Sequence, residues 1–203
     1  MRIVGGRWRG KPLSAPEGRG TRPTTNRTRE SMASMVLSAF DLDLSDVAVL
    51  DAFAGSGALG LEMLSRGARS CTFVERDRRA AEVVRRNVRS VGAGPAEARL
   101  KVGDAFRLAE SGGLPGGPFD LVLLDPPYAT EAALVAKLVD DLARTGHLTH
   151  DALVLYERAA DAPGLELAHS EQLRSKKHGA TATDLLRLSP ITDETIPDEE
   201  VSR

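Results

Sequence analysis

The sequence predicts an α/β fold: a mostly parallel seven-stranded sheet with helices on both faces, a terminal antiparallel strand pair and a small N-terminal β-hairpin extension. Three observations carry this. From Val47 onward, short apolar runs alternate with stretches of helical periodicity, and strands joined through helices of this length run parallel. The run Phe119-Asp120-Leu121-Val122-Leu123-Leu124 is apolar enough for a strand buried on both faces. The last two apolar stretches flank a polar turn rather than a helix, which suits a hairpin.

A chain of 203 residues, 41% apolar and 28% charged, supports one core. Cys71 is the single cysteine, which excludes an intramolecular disulfide and reads as a small buried residue of a reducing compartment. There is no Cys/His cluster at metal-ligand spacing, no apolar signal-peptide core at Met1–Gly6 and no membrane-length run. The expectation is a cytoplasmic, metal-free monomer. The net charge of -2 conceals a polarity. Residues 1–23 form a basic arm, residues 24–189 the main domain, and residues 190–203 an acidic tail with little to bury and no reason to order. A basic arm on a nearly neutral chain suggests a local polyanion contact, with a merely solvated arm as the plainer alternative.

Taken in order, Ile3-Val4, a Gly5-Gly6 turn, Trp8 and Leu13 read as the short hairpin. Thr24-Thr25-Asn26 can cap a helix whose apolar stripe is Met32, Met35, Val36, Ala39 and Phe40. Strands follow at Val47–Leu50, Cys71–Val74, Arg99–Val102, 119–124 and Ala152–Tyr156. Between them lie helices carrying Leu61 and Leu64, then Ala80 through Val91, then Ala105–Glu110, then Leu134 through Leu142. Leu165–Leu173 and Thr181–Leu188 complete the sheet around an Arg174–Gly179 turn.

Two motifs carry chemistry. Asp125-Pro126-Pro127-Tyr128 follows the central strand, and two prolines stop the ladder at the carboxyl end, where open α/β sheets bind ligands. The turn offers a carboxylate, backbone carbonyls that no helix claims and an aromatic face. A nucleobase amine needs these groups, although a proline-terminated strand with an edge-covering tyrosine is the bland alternative. The second motif is Asp51-Ala52-Phe53-Ala54-Gly55-Ser56-Gly57-Ala58-Leu59-Gly60. Its glycines match the dinucleotide fingerprint, but Asp51 ends the strand and a wide loop precedes Gly55. A carboxylate at the loop's root suits a cation with an ammonium group, such as S-adenosylmethionine, better than a diphosphate. Glu75 after the second strand can accept ribose hydroxyls, and Asp104 with the Ala105 N–H after the third can meet an adenine.

The chain resembles the class I S-adenosylmethionine-dependent methyltransferases, which have a Rossmann-like fold. Over residues 2–188 it is similar to the bacterial family that methylates the N2 amine of one guanine in 16S ribosomal RNA. The distinguishing stretches are Ile3-Val4-Gly5-Gly6-Arg7-Trp8-Arg9-Gly10 and Arg22-Pro23-Thr24-Thr25-Asn26-Arg27-Thr28-Arg29-Glu30, together with the glycine loop and the Asp-Pro-Pro-Tyr turn. Two positions depart from the family pattern: Asn26 stands where aspartate is expected, and His178 where tyrosine is expected.

The resemblance implies that Asp51, Phe53, Ala54, Gly55, Gly57, Glu75, Asp104 and Ala105 hold S-adenosylmethionine and release S-adenosylhomocysteine. It implies that Asp125 and the Pro126 carbonyl accept from the guanine amine while Tyr128 stacks on the base. Arg7, Arg9, Arg22, Thr24, Arg27 and Arg29 would hold 16S rRNA, within an assembled or partly assembled small subunit. The rivals are a DNA-adenine or protein-glutamine methyltransferase, a nicotinamide-dependent oxidoreductase and a non-catalytic RNA-binding module. The first needs a recognition domain for which the chain has no room.

Overall fold

The computed structural model describes residues 1–16 and 25–189. Twelve elements follow the arm: α1 (Asn26–Ala39), β1 (Ala48–Asp51), α2 (Ala58–Ser65), β2 (Ser70–Glu75), α3 (Arg78–Val91), β3 (Ala98–Val102), α4 (Ala105–Ser111), β4 (Phe119–Leu124), α5 (Ala132–Arg144), β5 (Leu148–Ala159), β6 (Ser170–His178) and β7 (Thr181–Leu188). They form one seven-stranded sheet in the order β3-β2-β1-β4-β5-β7-β6. β1 to β5 are parallel, and β7 is antiparallel to both β5 and β6. The strand order reverses between β1 and β4, which makes their carboxyl ends the place for a ligand crevice.

Two apolar clusters cover the two faces. On one, α1, α2 and α3 bury Met32, Val36, Leu61, Leu64 and Val84 against Val49, Phe73, Leu121 and Leu155. On the other, α4 and α5 bury Ala109, Val135, Leu138 and Leu142 against Leu50, Val122 and Val154. Capping fits the helix starts. The side chains of Thr25, Asp77 and Asp104 each accept the N–H three residues on. Among the described residues, no helix is long and apolar enough to cross a membrane.

The structure corrects two expectations. β6 is not Leu165–Leu173 with a turn over residues 174–179, but Ser170–His178 with a tight turn at Gly179-Ala180. Its polar residues misled because β6 is the sheet edge, where charged side chains belong. The apolar Leu165 and Leu167 pack in the second cluster from the preceding connection.

The arm is also less regular than a two-residue hairpin. Among the described residues, its only strand-like pairing is a single bridge between Arg2 and Pro12, around a turn wider than Gly5-Gly6. Gly6 serves another purpose. It adopts φ +75°, and a Cβ there would fall 1.8 Å from the Ser65 carbonyl oxygen, so glycine is required for the arm to lie against α2.

Candidate active site at the carboxyl edge of the sheet

Register aligns the predicted site residues. Asp51 pairs with Phe73 on one side and Leu123 on the other, Glu75 pairs with Val102, and Leu124 pairs with Tyr156. Asp104, Glu75, the glycine loop and Asp125 therefore stand in that order along one edge. From β3 to β4 is three strand spacings, about 14 Å.

The cofactor side is knitted from within. Glu75 accepts the Gly55 N–H through Oε2 and the Asp77 N–H through Oε1, both at 2.8 Å. Asp51 Oδ2 accepts the Gly60 N–H at 3.1 Å, and Gly57 N–H donates to the Ala54 carbonyl at 2.6 Å. Ala54 N–H in turn donates to the Val74 carbonyl at 2.9 Å. All three fingerprint glycines thus give their N–H groups to the protein's own oxygens. That disfavours a diphosphate, which would need them. Each carboxylate oxygen keeps further acceptor capacity for hydroxyl or ammonium donors. Burial pushes the Asp51 carboxyl up to about 7, against the pull of the Gly60 N–H and with the charges of Asp125 and Glu75 adding to the rise. A cation fits this concentration of carboxylates. Gly55, at φ +55°, faces open space, so the loop backbone lines a cradle.

At β3, Asp104 caps α4 through Oδ1, and Ala105 is buried as the helix's first residue. Sequence reasoning missed Phe106 beside it. The rings of Phe53 and Phe106 meet at 5.7 Å between centroids and 56° between planes, forming an aromatic wall over the β1–β3 edge. An aromatic residue directly after Asp104-Ala105 was the available signal. Asn87 was also missed as a functional element. It donates to the carbonyls of Ser56 and Ser14 and accepts the Ser14 N–H, tying arm, glycine loop and α3 together.

On the other side of the switch point, Asp125 is exposed, Pro126 buried and Tyr128 59% exposed. The turn closes through Thr130 N–H onto the Pro127 carbonyl, which leaves the Pro126 carbonyl outside the turn's own bonding.

The arginines divide. Arg9 and Arg27 are exposed. Arg7 is half-exposed, paired with Glu97 at 2.5 Å and lying over the Trp8 ring at 4.2 Å. Arg29 overturns its expected role as a phosphate contact: it is 1% exposed, and Nη2 donates to the Arg2 carbonyl at 2.7 Å and to Asn26 Oδ1 at 2.5 Å. It is an internal strut. Arg22 and Thr24 lie outside the described residues. The arm's real anchor is Glu62, fully buried on α2, which accepts the N–H groups of Val4 and Gly5 at 2.8 Å and pairs with Arg66.

A family model described as Conserved hypothetical protein 95 matches residues 1–187. Ribosomal RNA small subunit methyltransferase D of Escherichia coli (strain K12) is 37% identical over 157 residues, 77% of this chain and 74% of that protein. The chain belongs to this family. The methyltransferase D of Haemophilus influenzae is 30% identical over 180 residues, covering 88% of this chain and 89% of its own. Among solved structures, an Escherichia coli protein superposes with a TM-score of 0.77 at 34% identity, covering 94% and 98% of the two chains. The rRNA methyltransferase aviRa of Streptomyces viridochromogenes, at 18% identity and a TM-score of 0.61 over 84% and 88%, shares the fold. Of the two positions expected to depart from the family pattern, Asn26 supplies an Arg29 acceptor, and His178 lines a groove beside α1.

Proposed function

We propose that this protein transfers the methyl group of S-adenosylmethionine to the exocyclic N2 amine of a guanine in 16S rRNA. One observation carries the reading: an Asp125-Pro126-Pro127-Tyr128 turn with Asp125 and Tyr128 exposed stands one strand from a loop whose glycine N–H groups are already used and whose neighbours are carboxylates. Bound S-adenosylmethionine supplies an electrophilic methyl on a sulfonium.

The chain's own residues do the rest. Glu75 and Asp104 accept from the ribose and adenine, the Phe53–Phe106 wall packs the purine, and Asp51 faces the ammonium. A guanine N2 amine is a weak nucleophile because its lone pair is delocalised into the ring. Asp125 and the Pro126 carbonyl accept its two N–H bonds, which localises that pair and aims it. Tyr128, with more than half its surface exposed, offers a stacking face worth about 1–3 kcal/mol. Holding the reacting atoms at roughly 3–3.5 Å then supplies much of the acceleration. The target base must leave its stack, so the substrate is a loop or an opened helix. Arg9, Arg27 and the open side of Arg7 take phosphates. The partner is 16S rRNA in an assembled or partly assembled small subunit, met by a monomer in the cytoplasm.

The test is transfer of labelled methyl to unmodified small subunits, with free 16S RNA and DNA alongside. Label at one guanine N2 supports the reading. Label on DNA alone, or on no substrate despite cofactor binding, overturns it.

A further inference from the structure

Between α1 and the edge strand β6 runs a groove of about 1140 Å³ that the arrangement above touches only at Arg27. Register explains its charge. Arg174 pairs with Leu185, Lys176 with Thr183 and His178 with Thr181, so these three side chains share the sheet face of Leu185. Leu185 packs in the cluster that contains Met32, Met35 and Val36 of α1, so that face looks at α1. Arg27 answers from the helix's first turn, Lys177 lies on the rim, and Glu30 is the one carboxylate among the described lining residues. The wall also holds two polar atoms shielded from solvent and without a hydrogen-bond partner, Ser31 Oγ and His178 Nε2.

The groove opens on the catalytic edge. β7 begins at Thr181, opposite Ala159 at the end of β5, so the β6–β7 turn stands at the same end of the sheet as Asp125. Three strand spacings separate β4 from β6, which puts the groove mouth roughly 14 Å to the side.

We propose that this groove is a phosphate track for the single-stranded RNA on one side of the target guanine. Arg27, Lys176 and Arg174 pair with successive phosphates. The proposal rests on the RNA reading above and adds a direction: the strand leaves the catalytic turn across β5 and β7, away from the glycine loop. An acidic protein segment would match the charge. Position favours RNA, because nucleotides flanking an extruded base must cross this edge. Glu30, which also lines a second basic groove with Arg2, Arg9 and Arg66, sits between the two as a repulsive divider.

The test compares wild type with Arg174→Gln/Lys176→Gln and with Glu30→Gln, each saturated with S-adenosylhomocysteine. The probe is a fluorescent single-stranded 16S fragment containing the target guanine, titrated over a salt series. The double variant should lose about tenfold in affinity, and its salt slope should flatten by about 1.4, or 0.7 for each of two phosphates. Glu30→Gln should bind severalfold more tightly, and Lys176→Arg should match wild type. Affinity for S-adenosylhomocysteine should hold throughout, which separates a lost track from a lost fold. Unchanged affinity and slope in the double variant would overturn the track. So would a loss seen on assembled subunits but not on RNA, which would assign the groove to a ribosomal protein. If wild type methylates no RNA at all, the functional reading falls and takes the track with it.

Discussion

On the cofactor side of the site the carboxylates are buried or half-buried and hold backbone N–H groups of the fold, whereas the residues of the RNA side lie exposed at the surface. Glu75 holds two backbone N–H groups and Asp51 holds one, before any ligand arrives. Asp125, Tyr128, Arg9 and Arg27 lie exposed at the surface. A small, invariant ligand rewards a crevice fixed in advance, since little ordering remains to oppose binding. A large RNA brings its own shape, and its phosphates act through charge over a surface.

The sharpest way to break this contrast is Asp125→Ala. If Asp125 belongs to the RNA side, methyl transfer to small subunits should fall by about two to three orders of magnitude. S-adenosylhomocysteine affinity, measured by calorimetry, should stay within about twofold of wild type. Equal losses in both would make Asp125 a cofactor residue and erase the division.

Next in size is Glu62→Ala, which asks whether the arm belongs to the exposed side at all. Two backbone N–H groups and Arg66 would lose their buried acceptor. Breaking a buried charge of this kind costs about 3–5 kcal/mol. For a chain of this size that lowers the melting temperature by about 10 °C. A melting curve like wild type would mean that the arm is an appendage after all.

The cofactor side has its own test in pH. Burial pushes the Asp51 carboxyl up to about 7, far above its ordinary value. The folded protein therefore binds this proton more tightly than the unfolded chain does. Its stabilising effect is fully present below about pH 4, declines as pH rises from there, and is gone above about 7. An ammonium ligand reverses the preference and needs the carboxylate charged. Affinity for S-adenosylhomocysteine should fall as pH drops below 7, by up to about tenfold per unit. Asp51→Asn should bind weakly and lose that dependence. A flat wild-type profile would detach Asp51 from the ammonium.

Much of this was legible in the sequence, and unevenly so. Strand-end carboxylates and the proline turn could be read because register follows directly from alternating strands and helices. Phe106 hid in a short helix whose orientation only packing decides. Glu62 looked like an ordinary helix polar and Asn87 like one more position on the apolar face of α3, since nothing local reveals that the arm folds back onto α2 and α3. β6 was misplaced because an edge strand carries charges where an interior strand carries leucines.

The smallest effect concerns two arginines that the sequence could not tell apart. Arg29 is walled in and bonded to Arg2 and Asn26, while Arg9 is exposed. Arg29→Met removes two hydrogen bonds to part-buried acceptors and should lower the melting temperature by a few degrees, at about 1–3 kcal/mol. Its salt slope for RNA binding should match wild type. Arg9→Ala should melt as wild type and flatten that slope by about 0.7. The crossed result is informative. If Arg29→Met flattened the slope with no change in melting, the arm would have to open on RNA and release its strut, and the exposed region would then extend into what the free protein keeps as core.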